Sequence, residues 1–187
     1  MSFQLTHRIE RDSKNEYATN EDFRRLFTEH VNGLYLLSFL LTANHEKAEQ
    51  CFVTGLDECV TGDPVFREWA CTWARRVIVR NAICVIGPHI SPARTPLVAF
   101  HSASEGHPST TSLQDAPFAG VLALGNFERF VYVLSVLEKY SDQDCATLLG
   151  ASRQDVHDGR ARAFQLIAAS SRGTVTLADD LCDAVMT

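Results

Sequence analysis

Apolar residues recur at steps of three and four through the first part of the chain, which is the spacing of one face of an α-helix. The first such stripe follows Asn20, which can cap a helix ahead of an acidic first turn. The stripe predicts one long helix that lies centrally in its domain, because its second half is apolar on most sides. Its members are Phe23, Leu26, Phe27, Val31, Leu34, Tyr35 and Leu41.

Two further stripes follow in the same half. Asn44 can cap a helix that ends at Gly62, and Gly55 within it would allow a close neighbour. Asp63 and Pro64 predict the start of the next helix, with Asp as the cap and Pro at the first helical position. The third stripe consists of Phe66, Trp69, Ala70, Trp73 and Val77. Amphipathic helices of this length can bury a shared core, so residues 20–86 are predicted to form a helical domain.

The helical periodicity is absent from residues 87–118, which are rich in Pro, Ser, Thr and Gly. A segment of that length and polarity predicts a flexible linker. The periodicity resumes over residues 119–169, which are predicted to form a second domain. Residues 1–19 indicate a polar N-terminal arm, and residues 170–187 a C-terminal tail with an apolar and acidic stretch. The predicted fold class is therefore all-α, with two small helical domains joined by a flexible linker.

The second domain contains the pattern of a helix-turn-helix. Helix-start signals at Ser141 and Ser152 open a short helix and then a longer one. Ala146 is small where two crossing helices need a small side chain, Gly150 suits the left-handed end of a helix, and Val156 can lock the second helix onto the first. An ordinary helical hairpin uses the same cap and glycine chemistry, and it is the alternative interpretation.

Composition and charge limit the functions available to the chain. The net charge is -6 and the pI is about 5.6, whereas a dedicated nucleic-acid binder usually carries a basic excess. The six cysteines form no C-x-x-C pair, so we expect reduced core thiols rather than a disulfide framework. We find neither a secretory signal at the N-terminus nor an apolar segment long enough to span a membrane, and expect a cytoplasmic protein.

The sequence offers no catalytic constellation. It has no glycine-rich phosphate loop, no nucleophile with an evident base, and no metal-ligand spacing among its seven histidines. We therefore expect no enzymatic activity, no cofactor and no metal site. His30 is expected to be a packed helix residue rather than a ligand.

Two groups of side chains are candidates for DNA contact. On the second helix of the helix-turn-helix they are Arg153, Gln154, His157, Arg160 and Arg162. Such groups can read base edges or hold phosphate, but Asp155 and Asp158 interrupt them, and a solvated face of mixed charge is the alternative. In the first domain the candidates are Arg75, Arg76 and Arg80, again with a solvated face as the alternative. Trp69 and Trp73 are expected in the core, with stacking on unpaired bases as the alternative.

Longer motifs give a family resemblance. The pattern F-x-x-L-[FY]-x-x-H-x-x-x-L-Y is met by Phe23, Leu26, Phe27, His30, Leu34 and Tyr35. The pattern F-R-x-W is met by Phe66, Arg67 and Trp69. The pattern S-x-x-E-I-A-x-x-L-G-x-S is followed by Ser141, Asp144, Cys145, Ala146, Leu149, Gly150 and Ser152. Over roughly residues 22–170 the chain resembles an alternative RNA polymerase sigma factor of the extracytoplasmic-function group.

The resemblance implies a role for each domain. The first would bind core RNA polymerase and open the promoter, and the second would read the upstream promoter element. The implied polymerase-binding residues are Glu46, Glu49, Gln50 and Thr54. The chain departs from the family at functional positions: the family's Q-E is Val53-Thr54, and its T-V-K-S-R is D-V-H-D-G over residues 155–159.

Two functions are consistent with these observations. The first is a sigma-like transcription initiation factor that binds core RNA polymerase and directs it to promoter DNA, with an anti-sigma or other regulatory protein as a further partner. The second is a degenerate sigma-fold protein that acts as a protein–protein interaction or regulatory module and does not bind DNA.

Overall fold

The computed structural model describes residues 16–88 and 118–183, with side chains described up to residue 170. The predicted linker lies almost entirely outside the described residues, as do most of the predicted arm and the side chains of the tail. The chain divides into two compact units, residues 1–87 and 88–187. Apart from an isolated bridge between Tyr17 and Phe66, the regular structure of the described residues is helical, which confirms the predicted all-α class.

The helices of the first unit follow the predicted stripes with one additional break. In the described residues they are α1 (Asn20–Glu29), α2 (Val31–Thr42), α3 (His45–Thr61) and α4 (Ala70–Ile86). The prediction of one long first helix is wrong, because the backbone at His30 leaves the helical region at φ -107 and ψ 19. Val31 continues the apolar period in the sequence but is 43% exposed. The buried stripe is therefore interrupted at the same place as the helix.

The start of α1 is fixed by a reciprocal capping box. The Thr19 hydroxyl accepts from the backbone N–H of Asp22, and the Asp22 carboxylate accepts from the Thr19 backbone N–H at 2.9 Å. The predicted cap, Asn20, is instead the first residue of the helix. A reciprocal pair satisfies two backbone donors, and this explains why the cap lies one residue earlier.

Helix α2 lies at the centre of the first unit, as predicted. It packs against both α3 and α4, and Leu34 and Leu41 are fully buried. Asn44 caps α3 by accepting from the backbone N–H of Lys47 at 2.9 Å, which also confirms the prediction. At Gly55 a Cβ atom would lie 3.1 Å from Cγ1 of Ile78, so the glycine allows α3 and α4 to approach closely.

The connection between α3 and α4 differs from the prediction. Asp63 and Pro64 do not begin a helix, and a 3-10 turn at Arg67–Trp69 precedes α4. The intervening backbone is instead paired with the N-terminal segment, where the N–H of Ala18 donates to the carbonyl of Val65 at 2.7 Å. This long-range pairing competes with the local preference of Asp-Pro for a helix start, and it prevails.

The second unit is built from three short helical segments and one long helix, as far as its residues are described. They are α5 (Ala119–Leu122), α6 (Asn126–Tyr132, followed by a π-helical turn over Val133–Leu137), α7 (Asp142–Leu149) and α8 (Arg153–Asp183). Its core includes the fully buried Phe130, Val131 and Leu134. Arg129 is also buried, where it donates to the carbonyl of Leu124 and to the amide oxygen of Asn126. Burial lowers the pKa of Arg129.

The capping box of α1 generates a prediction about pH. The backbone N–H and hydroxyl of Thr19, with Arg67, lower the pKa of Asp22 from 3.8 to about 2. Because the pKa is lower in the folded state, the contribution of Asp22 is complete above pH ~4 and is lost as the pH falls through about 2. Asp22→Asn should therefore lower the unfolding free energy by about 1–2 kcal/mol at pH 7, and by progressively less as the pH approaches 2.

Urea unfolding followed by tryptophan fluorescence measures this difference, since both tryptophans lie in the first unit. Glu21→Gln, which removes a carboxylate from the same helical turn without touching the capping box, should cost about 0.5 kcal/mol or less. A difference between the wild type and Asp22→Asn that is as large at pH 2.5 as at pH 7 would contradict the proposed role of the carboxylate.

Candidate functional site

The second unit contains the predicted helix-turn-helix, formed by α7, the turn from Gly150 to Ser152, and α8. Gly150 adopts the left-handed conformation at φ 61, and its N–H donates to the carbonyl of Ala146. The N–H of Ala151 donates to the same carbonyl at 3.0 Å, which closes the end of α7 as a Schellman turn. Ala146 is 5% exposed and Val156 is fully buried, so the predicted contact residues do lie between the two helices and the core.

A serine side chain caps the start of each helix, and at α8 the cap is a full capping box. The hydroxyl of Ser141 accepts from the backbone N–H of Asp144 at 3.1 Å, and that of Ser152 accepts from Asp155 at 3.1 Å. In return, the Asp155 carboxylate accepts from the hydroxyl and the backbone N–H of Ser152, which lower the pKa of the Asp155 carboxyl. Asp155 thus fixes the first turn of α8, a role that the sequence signal S-x-x-D indicates.

The structure pairs two of the predicted DNA-contacting arginines with carboxylates of preceding helices. Arg160 donates to both oxygens of Asp142 in α7, at 2.6 and 3.1 Å. Arg162 donates to Glu128 in α6 at 3.0 Å. The Arg160 pair lowers the pKa of Asp142 and raises that of Arg160. The Arg160 pair is bidentate, and such pairs orient a helix as well as neutralise charge. The Arg162 pair is a single contact that adds a second link between α8 and the rest of the unit.

The other three predicted DNA-contacting residues lie on the exposed N-terminal part of α8. Arg153, Gln154 and His157 are all exposed. Gln154 donates through Nε2 to Asp158 at 2.9 Å, and Nδ1 of His157 lies 3.3 Å from the same carboxylate. Asp158 therefore contacts two of the three side chains. A nucleic acid would have to displace Asp158 in order to bind them.

The predicted polymerase-binding residues share one face of α3. Glu46, Glu49, Gln50 and Thr54 are all exposed, opposite the buried face formed by Ala48, Cys51, Gly55 and Cys59. Val53 lies within this exposed face and is itself 56% exposed. In the sequence, Val53 is recognisable only as a departure from a family motif. An apolar side chain surrounded by exposed polar groups is a common centre of a protein contact.

The basic cluster of α4 is only partly open to solvent. Arg80 is exposed and donates to Glu58 of α3, while Arg75 is half-buried and Arg76 is exposed. The expectation that both tryptophans belong to the core is wrong for Trp69, which is 57% exposed, whereas Trp73 is half-buried. Trp69 belongs to the 3-10 turn before α4, and the apolar period of the sequence does not continue through that turn.

The described residues offer neither a candidate metal site nor a membrane-spanning helix. No group of three or more His, Cys, Asp or Glu side chains in residues 16–88 and 118–170 could hold a metal ion. None of the helices described is long and apolar enough to cross a membrane.

Comparison with known protein families and with characterised proteins finds no match to the chain. Among solved structures the chain is similar to one in the co-crystal structure of the sigma factor RpoE with the anti-sigma factor NepR from Bartonella quintana. The two share 19% sequence identity at a TM-score of 0.43, over 79% of this chain and 94% of that chain. A likeness of this extent assigns neither a family nor a function to the chain.

The internal ion pairs of α8 generate a prediction about DNA affinity. The double variant Glu128→Gln, Asp142→Asn removes the carboxylates that engage Arg162 and Arg160. The released cations can neutralise phosphates, so nonspecific binding of duplex DNA should tighten by about tenfold at low salt. The slope of log affinity against log salt should steepen by about one to two units.

Fluorescence anisotropy with a labelled duplex, measured at several salt concentrations, gives both quantities. Glu46→Gln, Glu49→Gln is the matched control, because it makes the same change of net charge in the first unit without releasing an arginine of α8. If the two double variants bind DNA equally, the pairs on α8 do not limit its contact with phosphate.

Proposed function

We propose that the protein is a sigma-like transcription initiation factor, which binds core RNA polymerase through the exposed face of α3 and brings α8 to promoter DNA. It acts in this role by binding alone, without catalysis or a cofactor. The single observation that carries the proposal is the helix-turn-helix, whose second helix is fixed by its cap and buried contacts and exposes Arg153, Gln154 and His157 near its start. DNA-binding helices of this motif read base edges with their N-terminal residues.

The charge distribution supports a division of labour between the two contacts. The chain is acidic as a whole, and two cations of α8 are engaged within the unit. Binding of this protein to DNA by itself should therefore be weak. Within a complex the polymerase supplies most of the nonspecific affinity for DNA, and a small number of contacts from α8 is then enough to select a sequence.

The polymerase contact is proposed to centre on Val53. This side chain is apolar and exposed, and Glu49, Gln50 and Thr54 are exposed beside it. Burial of one such side chain at the centre of an interface contributes about 1–3 kcal/mol, and the polar neighbours provide a rim that determines the partner.

A specific observation also favours the alternative, an interaction module that does not bind DNA. Asp142, Glu128 and Asp158 each contact a side chain that a DNA-binding helix would turn toward phosphate. Side chains that are engaged by these carboxylates are less available to contact DNA. In the alternative the protein binds another regulatory protein or a second copy of itself, and α8 does not contact DNA.

Co-elution with bacterial core RNA polymerase on a sizing column tests the proposed contact through α3. The wild type should elute with the polymerase at moderate salt. Val53→Asp should weaken the complex by about tenfold or more, because a charge is then buried at the centre of the interface.

Val31→Asp serves as the control, since Val31 is comparably exposed on a different helix of the same unit. It should leave the complex intact. A wild-type protein that is folded and helical yet fails to co-elute would overturn both the contact and the initiation role.

A further inference from the structure

The first unit contains a cavity that neither the polymerase contact nor the DNA contact uses. It lies where the N-terminal segment meets the 3-10 turn before α4, and its volume is about 590 Å³. Its lining consists of Glu16, Phe66, Arg67, Glu68 and Trp69. Aromatic rings and carboxylates thus line the same cavity. Both kinds of group restrict the chemistry of a ligand that could bind there.

The aromatic part of the cavity consists of two rings in edge-to-face contact and a third ring that stacks on one of them. The rings of Phe66 and Trp69 stand at 78° to each other with centroids 5.2 Å apart. Tyr17 stacks on Phe66 with a centroid distance of 4.7 Å, which covers one face of the Phe66 ring and restricts its movement. Trp69 remains 57% exposed, so a large part of its surface is available to a ligand.

The charged part of the lining favours a cation. Arg67 donates to the Asp22 carboxylate at 2.9 Å, and Arg25 donates to the other oxygen of the same carboxylate at 2.7 Å. The lining itself holds the two carboxylates of Glu16 and Glu68 against the one guanidinium of Arg67, which leaves an excess of negative charge. Negative charge repels phosphate groups, while both the carboxylates and the faces of aromatic rings attract a positive group.

We propose that this cavity binds an alkylammonium cation, in the manner of an aromatic cage closed by carboxylates. Two rings in edge-to-face contact form a corner on which the alkyl groups of such an ion can pack, and the carboxylates complement its charge without requiring a hydrogen bond. The cation belongs either to a small quaternary ammonium compound or to a methylated lysine of a protein. The two sources share the same chemistry at this site.

Fluorescence titration of the purified full-length protein tests the proposal. The Trp73→Phe variant leaves Trp69 as the one remaining tryptophan of the sequence, so its emission reports directly on the cavity. Choline should change this emission in a saturable manner with a dissociation constant of about 1–10 mM. The neutral isostere 3,3-dimethylbutan-1-ol should bind at least about fivefold more weakly.

Variants separate the contribution of charge from that of the rings. In the Trp73→Phe background, Glu68→Gln should weaken choline binding by about fivefold, whereas Glu21→Gln, outside the cavity, should leave it unchanged. Trp69→Ala should reduce the broadening of the choline methyl signal in proton NMR spectra, and its far-UV circular dichroism confirms that the helices are retained. A peptide with trimethyllysine that binds more tightly than choline identifies a protein source, and the reverse order identifies a small molecule.

Three outcomes would overturn the proposal. They are equal binding of choline and its neutral isostere, no saturable response to either cation, and a response to single-stranded oligothymidine that choline does not displace. The last would show that the rings stack on bases. The titration uses no polymerase, so its failure is separate from a failure of the initiation role.

Discussion

The arrangement of the helices in the second unit depends on the close packing of the first turns of α8 against the helices that precede it. Val156 is fully buried, and a Cβ atom at Gly159 would lie 2.9 Å from the ring of Phe127. No larger residue fits at position 159 unless that ring moves, so α8 can lie against α6 in only a narrow range of rotations. This rotation decides which side chains of α8 are exposed near its start and which meet carboxylates of α6 and α7. The candidate DNA surface is therefore a consequence of core packing rather than of the local sequence.

The same packing explains how an acidic protein can carry a helix-turn-helix. Arg160 and Arg162 form ion pairs with Asp142 and Glu128. These pairs help to position α8, but they reduce the affinity of the two arginines for phosphate. The exposed face of α3 carries carboxylates and one apolar side chain, Val53, which suits a protein partner better than a nucleic acid. Neither surface favours tight binding of DNA by this protein alone, which is why we propose that it contacts DNA only within a larger assembly.

Local signals allowed much of the fold to be predicted from the sequence. The Asn44 cap, the left-handed Gly150 and the buried Val156 depend on residues within a few positions of each other, and all were predicted. The errors arise where distant segments meet. Pairing of residues 17–18 with residues 65–66 displaced the start of α4 and left Trp69 exposed, and no local pattern records such a contact. The ion pairs of α8 join residues 18 and 34 positions apart, so the sequence located the cations without revealing their partners.

We propose above that the protein gives core RNA polymerase a promoter specificity. The most direct test is transcription in vitro by core polymerase on a pool of randomised promoter fragments, with sequencing of the transcripts made in the presence and absence of the protein. We expect transcripts that require the protein, start at discrete positions and share an upstream sequence element. An identical set of transcripts with and without the protein, under conditions where the protein is bound to the polymerase, would contradict the claim and favour an interaction module without a role in promoter selection.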